Sequence, residues 1–375
     1  MALFIGLMSG TSLDGVDGVL AELDPRSPGR DTTRVLAHRH RPFAAELRRS
    51  LLQLNSPAGD ELHRAALAAN ALVRDYAAVV AELLQHGGVQ PAQVGAIGAH
   101  GQTVRHRPQE FDGSGYTLQL MNGALLAELC GIDVVCDLRS RDLAAGGQGA
   151  PLVPALHAAL FASAQDDVAV LNLGGIANLT LLPARGPVRG FDCGPGNALM
   201  DLWCQRHRGQ DYDADGRWAA SGRIDALLLQ RLLAEPFLQR PPPKSTGRDL
   251  FHAAWLEQAL RGLPHAAAAA DVQATLAEFS ARAAADAVHT YAAATRRLLV
   301  CGGGAFNAHL MQRLAALLPA AVVASTAEHG VPPEQVEALA FAWLAAAFGV
   351  RQPGNLPAAT GARGPRVLGA LYPAR

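Results

Sequence analysis

Residues 3–17 read LFIGLMSGTSLDGVD, in which an apolar run leads directly into a turn rich in Gly, Ser, Thr and Asp. The apolar run predicts a strand over 3–7, and the residues after the turn predict a second strand over 16–23, so the two form a β-hairpin. A turn of this composition can point backbone N–H groups and hydroxyls at a phosphate, and its carboxylates can hold a divalent metal through water. The segment has the outline of a nucleotide site, although such turns are also common as purely structural elements.

The second half of the chain opens with a similar pattern. An apolar strand predicted over 168–173 is followed by the turn GGIAN at 174–178 and by a further apolar run over 179–182. Two such hairpins, one in each half, predict two related α/β lobes that hold a phosphate chain between their turns. The similarity is one of pattern and not of identical residues.

Length and charge limit the class of protein. With 375 residues the chain is long enough for two lobes that each bury a core. Its 32 basic and 33 acidic residues give a formal net charge of −1, which favours a small-molecule ligand over nucleic acid or an anionic membrane. No window of about 18 apolar residues lacks charges or breakers, and no basic region precedes the first apolar run, so we expect a cytoplasmic protein.

The five cysteines argue against a disulfide framework or a zinc site. Cys130, Cys136, Cys193, Cys204 and Cys301 are odd in number, are scattered along the chain and lack CxxC spacing. We therefore expect buried or partly buried reduced thiols. A thiol nucleophile at Cys193 is not expected, because no histidine partner stands near it in the sequence.

Apolar periodicity predicts the remaining elements of the two lobes. Strands are predicted over 33–38, 94–99, 132–136 and 297–301, and helices over 43–54, 60–85, 272–297 and 335–348. The strand over 94–99 ends in His100-Gly-Gln-Thr, and α/β proteins commonly place ligand contacts at the end of a buried strand. The Gly-rich loop 144–151 is expected to cross between the lobes or to form part of a cleft wall.

Three consecutive glycines lie where a predicted strand meets a predicted helix. Gly302, Gly303 and Gly304 follow the strand over 297–301, and Asn307 precedes the next helix. A backbone without Cβ atoms lets a nucleoside or a phosphate approach closely. The order of the three Gly-rich junctions suits a phosphotransferase, with one turn per lobe at the phosphates and the third beside the nucleoside. The chain contains neither GxxxxGK[ST] nor a GxGxxG that opens a helix after the first strand.

Two acidic residues are candidates for chemistry. Asp192 follows an apolar residue and precedes Cys-Gly-Pro-Gly-Asn, which predicts a carboxylate held at a strand end on a sharp turn, as a general base requires. Alternatively, Asp192 only caps that turn. Glu337 lies in the first turn of the helix predicted over 335–348, where it either points into the cleft or complements the helix dipole.

Four further residues have an open choice between a ligand contact and a structural role. Asp14 and Asp17 either orient waters of Mg²⁺ or form an Asx-turn within the first hairpin. His100 is either a substrate contact or a hydrogen-bonded structural group. Lys244, the only lysine of the chain, either meets a phosphate or a substrate carboxylate, or lies in a solvated loop.

These segments, taken with several others, resemble the anhydro-N-acetylmuramic acid kinases, within the superfamily of actin, sugar kinases and the Hsp70 ATPase. The resemblance covers essentially the whole chain in order. It lies in residues 6–17, 100–103, 144–152, 172–180, 191–201, 242–248, 301–307, 337–344 and 355–372. One departure follows residue 119, where the family usually reads IGDP and this chain reads LMNG.

The resemblance implies a duplicated ribonuclease H-like fold with ATP in the cleft between the lobes. We expect a first lobe over 1–145, completed by about 350–375, and a second lobe over 146–349 that carries the adenosine-binding region. Asp192 matches the family's catalytic aspartate. The implied ATP-binding residues are Gly10, Thr11, Ser12, Leu13, Asp14, Gly15, Val16 and Asp17 in the first phosphate loop, Asn172, Gly174, Gly175 and Asn178 in the second, and Gly302, Gly303, Gly304 and Asn307 at the adenosine.

The implied reaction converts 1,6-anhydro-N-acetylmuramate, ATP and water into N-acetylmuramate 6-phosphate and ADP during cell-wall recycling. Asp192 would take a proton from the water that attacks the anomeric carbon, and Glu337 would help to hold that water. O6, released from the anhydro bridge, would attack the γ-phosphate, while Mg²⁺ and the two turns neutralise charge on the phosphates. The family also implies a homodimer. Two other hypotheses are a hexokinase-like sugar kinase, in which Asp192 deprotonates a substrate hydroxyl, and a non-enzymatic ATP-binding module, which would need a large substrate-binding extension.

Overall fold

The computed structural model of the chain describes residues 1–10, 12–27, 29–247 and 250–374. Thr11, predicted as a phosphate contact, and Arg248, part of the family resemblance, lie outside these ranges. The strands are β1 Ala2–Met8, β2 Gly15–Leu23, β3 Thr33–Pro42, β4 Val94–Ala99, β5 Gln102–Pro108, β6 Gly115–Leu120, β7 Val134–Cys136, β8 Val168–Leu173, β9 Ile176–Leu182, β10 Arg189–Pro195, β11 Arg297–Cys301, β12 Val322–Ser325 and β13 Ala370–Tyr372. The α-helices are α1 Ala45–Gln53, α2 Glu61–Gly87, α3 Gly123–Cys130, α4 Ser140–Ala144, α5 Pro154–Phe161, α6 Ala198–Arg208, α7 Arg217–Ser221, α8 Ala226–Leu233, α9 Pro236–Gln239, α10 Ala253–Arg261, α11 Ala269–Tyr291, α12 Ala308–Leu317, α13 Val336–Gly349 and α14 Pro357–Thr360.

The chain divides into two compact units. The first unit contains residues 1–160 together with the segment from 335 onward, and the second contains residues 161–334. This division assigns 146–160 and 335–349 to the first unit, whereas the division expected from the sequence assigned both segments to the second lobe. The Gly-rich loop 144–151 accordingly lies within the first unit, and the chain passes between the units after residue 160 and after residue 334.

Helix α13 belongs to the first unit because it lies directly on strands β1 and β4. A Cβ at Gly6 would overlap the carbonyl of Ala338, and a Cβ at Gly98 would overlap the carbonyl of Phe341. Glycine at these two positions therefore lets the helix backbone approach the sheet more closely than any side chain would allow. Most of α13 is buried, which is consistent with its apolar character on all sides.

The first unit is built on a six-stranded mixed sheet with the order β13-β7-β4-β1-β2-β3. Strands β1, β2 and β3 are antiparallel, β4 runs parallel to β1, β7 runs parallel to β4, and β13 is antiparallel to β7. Strands β5 and β6 form a separate antiparallel hairpin. Helix α2 packs on β2 and β3 and contributes eight buried residues to the core of this unit.

The second unit repeats the same sheet with the order β10-β9-β8-β11-β12. Strands β8, β9 and β10 are antiparallel, and β11 and β12 run parallel to β8. When only the strands of each sheet are counted in chain order, both sheets have the order third, second, first, fourth, fifth. The strand directions are also the same, and the first sheet adds β13 beside β7. This shared arrangement confirms the prediction of two related α/β units with a ribonuclease H-like sheet.

Helix α11 forms the centre of the second unit. Fifteen of its 23 residues are buried, and most of these are alanine or another small residue. Glu278 is the charged exception, and its carboxylate accepts hydrogen bonds from Arg313 and Arg282, with the shortest N···O distance 2.7 Å. These partners hold the pKa of Glu278 below its ordinary value although burial alone would raise it. The helix predicted over 272–297 is confirmed in part, because the observed helix begins at Ala269 and ends at Tyr291.

The state of the cysteines and the character of the helices follow from the structure. All five cysteines are free, four of them buried and Cys130 partly buried, as expected for reduced thiols. Among the described residues, no helix combines the length and the apolar character that a membrane crossing requires.

Candidate functional site

The first hairpin turn is closed by its own backbone and by an aspartate. The N–H of Leu13 donates to the carbonyl of Gly10 at 3.3 Å. Oδ1 of Asp14 accepts hydrogen bonds from the Ser12 hydroxyl at 2.6 Å and from the Gly15 N–H at 3.0 Å. Asp14 therefore has the local, turn-forming contacts that the structural alternative predicted, and these contacts fix its carboxylate beside the turn.

Two of the predicted phosphate-loop residues have their side chains in the core. Leu13, at φ 57°, and Val16 are both buried. Only the backbones of these two residues can face a ligand. Their apolar side chains anchor the turn on the first unit, which keeps the backbone N–H groups in fixed positions.

A buried polar group behind the turn was not predicted from the sequence. The Ser9 hydroxyl donates to the carbonyl of Gly101 at 3.1 Å, so its contact of 2.9 Å with the Tyr76 hydroxyl is one in which Tyr76 donates. Burial raises the pKa of Tyr76 far above its ordinary range, which keeps this donor protonated. The side-chain amide of Gln102 donates to the carbonyl of Gly10 at 3.1 Å. These contacts join the segment after β4 to the first hairpin turn.

Asp17 lies on β2 and pairs with Met8, the last residue of β1, next to the turn. On its other side it faces two histidines of β3. Its Oδ1 is 3.1 Å from Nε2 of His38 and 3.1 Å from Nδ1 of His40. Burial by itself would raise the pKa of Asp17, but the two hydrogen bonds and the charges of these histidines hold that pKa below its ordinary value. The hydrogen bond from Asp17 raises the pKa of His40 in turn. Neither histidine was singled out in the sequence, because the pairing of β2 with β3 is needed to bring them to Asp17.

In the second unit, the turn after β8 is closed by the start of α6. Asn172 and Asn178 are paired across the hairpin of β8 and β9. The carbonyl of Gly174 accepts from the N–H of Asn197 at 2.8 Å. The carbonyl of Gly175 accepts from the N–H groups of Gly196 at 3.0 Å and Ala198 at 3.1 Å. The Gly-Gly turn is thus held rigidly, with its carbonyls turned toward the helix.

The third Gly-rich junction lies against this second turn. Gly302 has φ +77°, and a Cβ there would overlap Oδ1 of Asn172. A Cβ at Gly304 would lie 2.5 Å from the Cβ of Leu173 and 3.1 Å from Oδ1 of Asn197. The structure therefore brings 172–175 and 302–304 together within the second unit.

Asn307 has a clear structural function at this junction. Its side-chain oxygen accepts a hydrogen bond from the N–H of Leu310 at 3.0 Å and so caps helix α12. The amide nitrogen of Asn307 is the part of the side chain that this cap does not use.

The sheet register aligns the polar side chains of the second unit in one row. Across four neighbouring strands the paired residues are Cys301 on β11, Asn172 on β8, Asn178 on β9 and Asp192 on β10. Residues directly opposite each other on neighbouring strands project from the same face of a sheet. Asn172, Asn178 and Asp192 therefore share one face, next to the Gly-rich turn.

The prediction that Asp192 lies at a strand end is wrong. It lies inside β10, at the irregularity in register between Asp192 and Gly194, and the strand continues to Pro195. The extra residue of this bulge is Cys193, since Asp192 and Gly194 both keep partners on β9. Pro195 is tolerated because the outer side of an edge strand needs no further N–H. The carboxylate is held by Thr246, whose N–H donates to Oδ2 at 2.9 Å.

Lys244 and Cys193, on either side of Asp192, have structural roles. Nζ of Lys244 donates to the carbonyls of Phe237 at 3.2 Å and Leu238 at 2.9 Å, and it lies 4.9 Å from the Phe237 ring centre. Burial lowers its pKa. Cys193 donates to the carbonyl of Ala177 at 3.4 Å, and burial raises its pKa, so its thiol stays protonated. Lys244 thus holds the end of α9, which differs from both alternatives considered for it.

His100 and the Gly-rich loop are connected through Arg139. Nε2 of His100 accepts from two guanidinium nitrogens of Arg139 at 3.0 and 2.9 Å, so this imidazole is neutral, and burial lowers its pKa to about 3. Arg139 also donates to the carbonyl of Gly149 at 2.7 Å. These contacts support the structural alternative for His100.

Asp142 is a buried carboxylate that the sequence did not reveal as important. It accepts hydrogen bonds from the Asn355 amide at 2.6 Å, the Thr360 hydroxyl at 2.8 Å and the Gly149 N–H at 2.8 Å. It thereby ties the C-terminal segment to the Gly-rich loop of the same unit. Asn122, in the segment that departs from the family pattern, caps helix α3 by accepting from the Leu125 N–H at 3.0 Å.

Glu337 lies in the first turn of α13 and is half-buried. It belongs to the first unit, whereas Asp192 belongs to the second.

The acidic residues of the first hairpin can be assessed as a site for Mg²⁺. This cation prefers oxygen ligands and usually keeps several waters. In the part of the chain that is described, no group of three or more His, Cys, Asp and Glu side chains is placed to hold a metal. Asp14 and Asp17 offer hard oxygen ligands, yet each has one oxygen engaged within the protein. The donor set fits a cation that phosphates hold and that these carboxylates reach through water.

Comparison with known proteins agrees with the sequence resemblance. A family model described as anhydro-N-acetylmuramic acid kinase matches residues 2–374. The chain is 61% identical over 377 residues to the anhydro-N-acetylmuramic acid kinase of Variovorax paradoxus (strain S110), covering 99% of each chain. It is 61% identical over 374 residues to the protein of the same name from Bordetella petrii, covering 99% of this chain and 96% of the relative.

Among solved structures, component A of (R)-2-hydroxyglutaryl-CoA dehydratase from Acidaminococcus fermentans has a TM-score of 0.49 and 11% identity, covering 92% of this chain and 98% of that one. At this level of similarity it says nothing about the function of this chain. The family model, by contrast, covers residues 2–374, and the two relatives are 61% identical over 99% of this chain. The chain belongs to the anhydro-N-acetylmuramic acid kinase family.

Proposed function

We propose that this chain is an anhydro-N-acetylmuramic acid kinase, which converts 1,6-anhydro-N-acetylmuramate, ATP and water into N-acetylmuramate 6-phosphate and ADP in the recycling of cell-wall sugars. The observation that carries this proposal is the row of Asn172, Asn178 and Asp192 on one sheet face. It joins a candidate base to a rigid Gly-rich turn in a chain that belongs to this family.

The two hairpin turns are proposed to contact the phosphates of ATP. In the first turn these contacts come from Gly10, Thr11, Ser12, Asp14 and Gly15, from the backbones of Leu13 and Val16, and from Asp17 nearby. In the second turn they come from Asn172, Gly174, Gly175 and Asn178. Backbone N–H groups held in a fixed turn stabilise charge on a transferring phosphoryl group without reorganising. Mg²⁺ bound to ATP would add further charge neutralisation, with Asp14 and Asp17 reaching its waters.

The adenosine is proposed to lie against Gly302, Gly303 and Gly304. At Gly303 a Cβ would meet only Nδ2 of Asn197, at 3.8 Å, so this backbone has open space in front of it. The amide nitrogen of Asn307 is the donor that remains for the nucleoside once its oxygen has capped α12.

Asp192 is proposed as the general base. Its carboxylate takes a proton from a water molecule while the water oxygen forms a bond to the anomeric carbon. The bond between that carbon and O6 of the anhydro bridge breaks, and O6 forms a bond to the γ-phosphorus as ADP leaves. The phosphoryl group thus replaces the acid that an inverting glycosidase would need. The Thr246 N–H keeps the carboxylate in one orientation through Oδ2, and Glu337 is proposed to help hold the water.

The reaction can be tested by mass spectrometry of products formed in ¹⁸O-labelled water. Purified protein, MgATP and 1,6-anhydro-N-acetylmuramate are expected to give N-acetylmuramate 6-phosphate with one ¹⁸O at the anomeric position. The Asp192→Asn variant is expected to give none. Release of ADP with the anhydro sugar intact would overturn the proposal and favour a sugar kinase that acts on another hydroxyl.

Membership of the family also leads us to propose a cytoplasmic homodimer. Light scattering on the purified protein is expected to give twice the chain mass of 39.2 kDa. A mass of one chain at micromolar concentration would contradict the dimer.

A further inference from the structure

The His100-Gly-Gln-Thr segment contains a fully buried glutamine, Gln102, which begins strand β5 and has a fixed orientation. Gln102 is 1% exposed, and its Nε2 donates to the carbonyl of Gly10 at 3.1 Å and approaches the carbonyl of Thr103 at 3.4 Å. Both neighbours can only accept hydrogen bonds. The nitrogen of the amide must therefore be on this side and the oxygen on the other.

The oxygen of the same amide has no hydrogen-bond partner among the described residues. A buried carbonyl oxygen without a donor is costly, and native proteins seldom leave one unexplained. The hydroxyls of Ser9 and Tyr76 are already committed, because Ser9 donates to Gly101 and Tyr76 donates to Ser9. Oε1 of Gln102 is thus a preformed acceptor that lacks a donor among the described residues, on an amide whose nitrogen is bonded to the first hairpin turn.

We propose that Oε1 of Gln102 binds the sugar substrate, which makes Gln102 a residue that contacts the sugar and the phosphate turn at once. This inference rests on the proposed function. At neutral pH the ring, bridge and ether oxygens and the carboxylate of 1,6-anhydro-N-acetylmuramate only accept hydrogen bonds. The donors of this sugar are its 4-hydroxyl and its acetamido N–H, so one of these two groups is the partner of Oε1.

A consequence is that sugar binding and ATP binding are coupled. The bond from Nε2 to Gly10 and the proposed bond from the sugar to Oε1 belong to the same rigid amide. A sugar bound at Oε1 therefore restrains the Nε2 contact to Gly10, and with it the turn. Coupling between two ligands is reciprocal. Calorimetry is therefore expected to show tighter sugar binding in the presence of a non-hydrolysable ATP analogue, with the same factor in the reverse titration.

The contact can be tested with three substrates and three proteins. The substrates are the parent anhydro sugar, its 4-deoxy analogue and its N-methylacetamido analogue. The proteins are the wild type, Gln102→Leu and Gln119→Leu. The last is a matched control on the neighbouring strand, which loses hydrogen bonds of 3.1 and 2.8 Å to Thr103 and Thr117 but does not contact Gly10.

Gln102→Leu is expected to lower kcat/KM for the parent sugar by ~10- to 100-fold, as loss of a hydrogen bond and of turn positioning would do. For one analogue, the one that lacks the bonded donor, this factor is expected to be clearly smaller. Gln119→Leu is expected to change kcat/KM by the same factor for all three substrates. Circular dichroism melts establish that each variant is folded, and Gln102→Met replaces Gln102→Leu if the latter is not.

An equal loss for all three substrates in Gln102→Leu would overturn the inference, since it would mean that Oε1 serves the fold or a buried water. This outcome is distinct from failure of the proposed function. If the proposed function failed, the wild-type protein itself would form no N-acetylmuramate 6-phosphate from the parent sugar, while binding of ATP could still be measured.

Discussion

Asp192 and Thr246 are joined by a hydrogen bond of 2.9 Å from the backbone N–H of Thr246 to Oδ2 of Asp192. The N–H of Asp192 donates in turn to the carbonyl of Lys244 at 3.1 Å. Strand β10 is at the edge of its sheet, so this segment covers part of an edge that would otherwise expose backbone groups. The contact also limits rotation of the carboxylate, and a general base needs such a fixed orientation.

Asp192→Asn is expected to abolish most of the activity and to leave the fold intact. Asp192 is half-buried, but the amide of asparagine has nearly the same shape and its oxygen can still accept from Thr246, so the melting temperature is expected to stay within ~2 °C of the wild type. The kcat is expected to fall by ~10²- to 10⁴-fold, the usual contribution of a positioned base. ADP release and a thermal melt measure the two effects. Asp211→Asn, at an exposed position in the same unit, should change neither, and activity of Asp192→Asn close to wild type would exclude the base.

Local pattern predicted β4 and β8 well but gave no strand for β5, β6, β12 or β13, and it misplaced Asp192. Apolar runs bounded by glycine predicted β4 at its observed bounds and β8 likewise. The Gly-Pro-Gly after Asp192 suggested an immediate turn, whereas pairing with β9 extends β10 through Pro195. Whether such residues continue a strand depends on a neighbour, not on local composition.

Contacts between distant parts of the chain were beyond the reach of local pattern. Asp142 and Thr360 are 218 positions apart, and nothing near Asp142 marks it as a partner of the C-terminal segment. The two histidines at Asp17 depend on the register of β2 against β3. The two Gly-rich hairpins could be predicted because strand, turn and strand follow one another in consecutive order, which a sequence displays directly.

Gly302→Ala is expected to destabilise the second unit, whereas Gly303→Ala is expected to affect ligand binding. An alanine at position 302 would have φ near +77° and a Cβ 2.9 Å from the Leu173 backbone. Backbone strain and overpacking together predict a loss of ~2 to 4 kcal/mol in the free energy of unfolding, measured with urea. A Cβ at 303 meets only ordinary contact, so stability should hold while KM for ATP rises. Equal stability of both variants would contradict this account of Gly302.

Asp142→Ala is expected to release the C-terminal segment. The change leaves the amide of Asn355, the hydroxyl of Thr360 and the N–H of Gly149 without their shared acceptor. Each buried donor without a partner costs ~1 to 3 kcal/mol, so a loss of at least ~3 kcal/mol in the free energy of unfolding is expected. Limited proteolysis followed by mass spectrometry should show new cleavage after residue 354. Asp137→Asn, at an exposed position, is the control and should be cleaved as the wild type is. A wild-type cleavage pattern in Asp142→Ala would contradict the role of Asp142 in holding the C-terminal segment.

The pair of Asp17 and His40 is expected to make stability depend on pH in a defined direction. The folded-state pKa of His40 is raised by its hydrogen bond to Asp17 and by the charges of Asp17 and Asp14. A raised pKa means that this histidine adds stability below its ordinary value of 6.5 and that the contribution is lost as pH rises through the folded-state pKa. Asp17 has a lowered pKa, so its contribution is present above 3.8 and is lost in acid. Between these limits both groups are charged.

His40→Gln should therefore lower the free energy of unfolding more at a pH of about 5.5 than at about 8.5, because the ordinary pKa of histidine lies between these values. The difference should be at most ~1 kcal/mol, since the His40 side chain is 40% exposed and solvent screens the pair. Urea unfolding at both pH values measures it. His63→Gln, at an exposed position in α2, should show no such difference, and a cost of His40→Gln that is the same at both pH values would mean that the two residues do not form an ion pair.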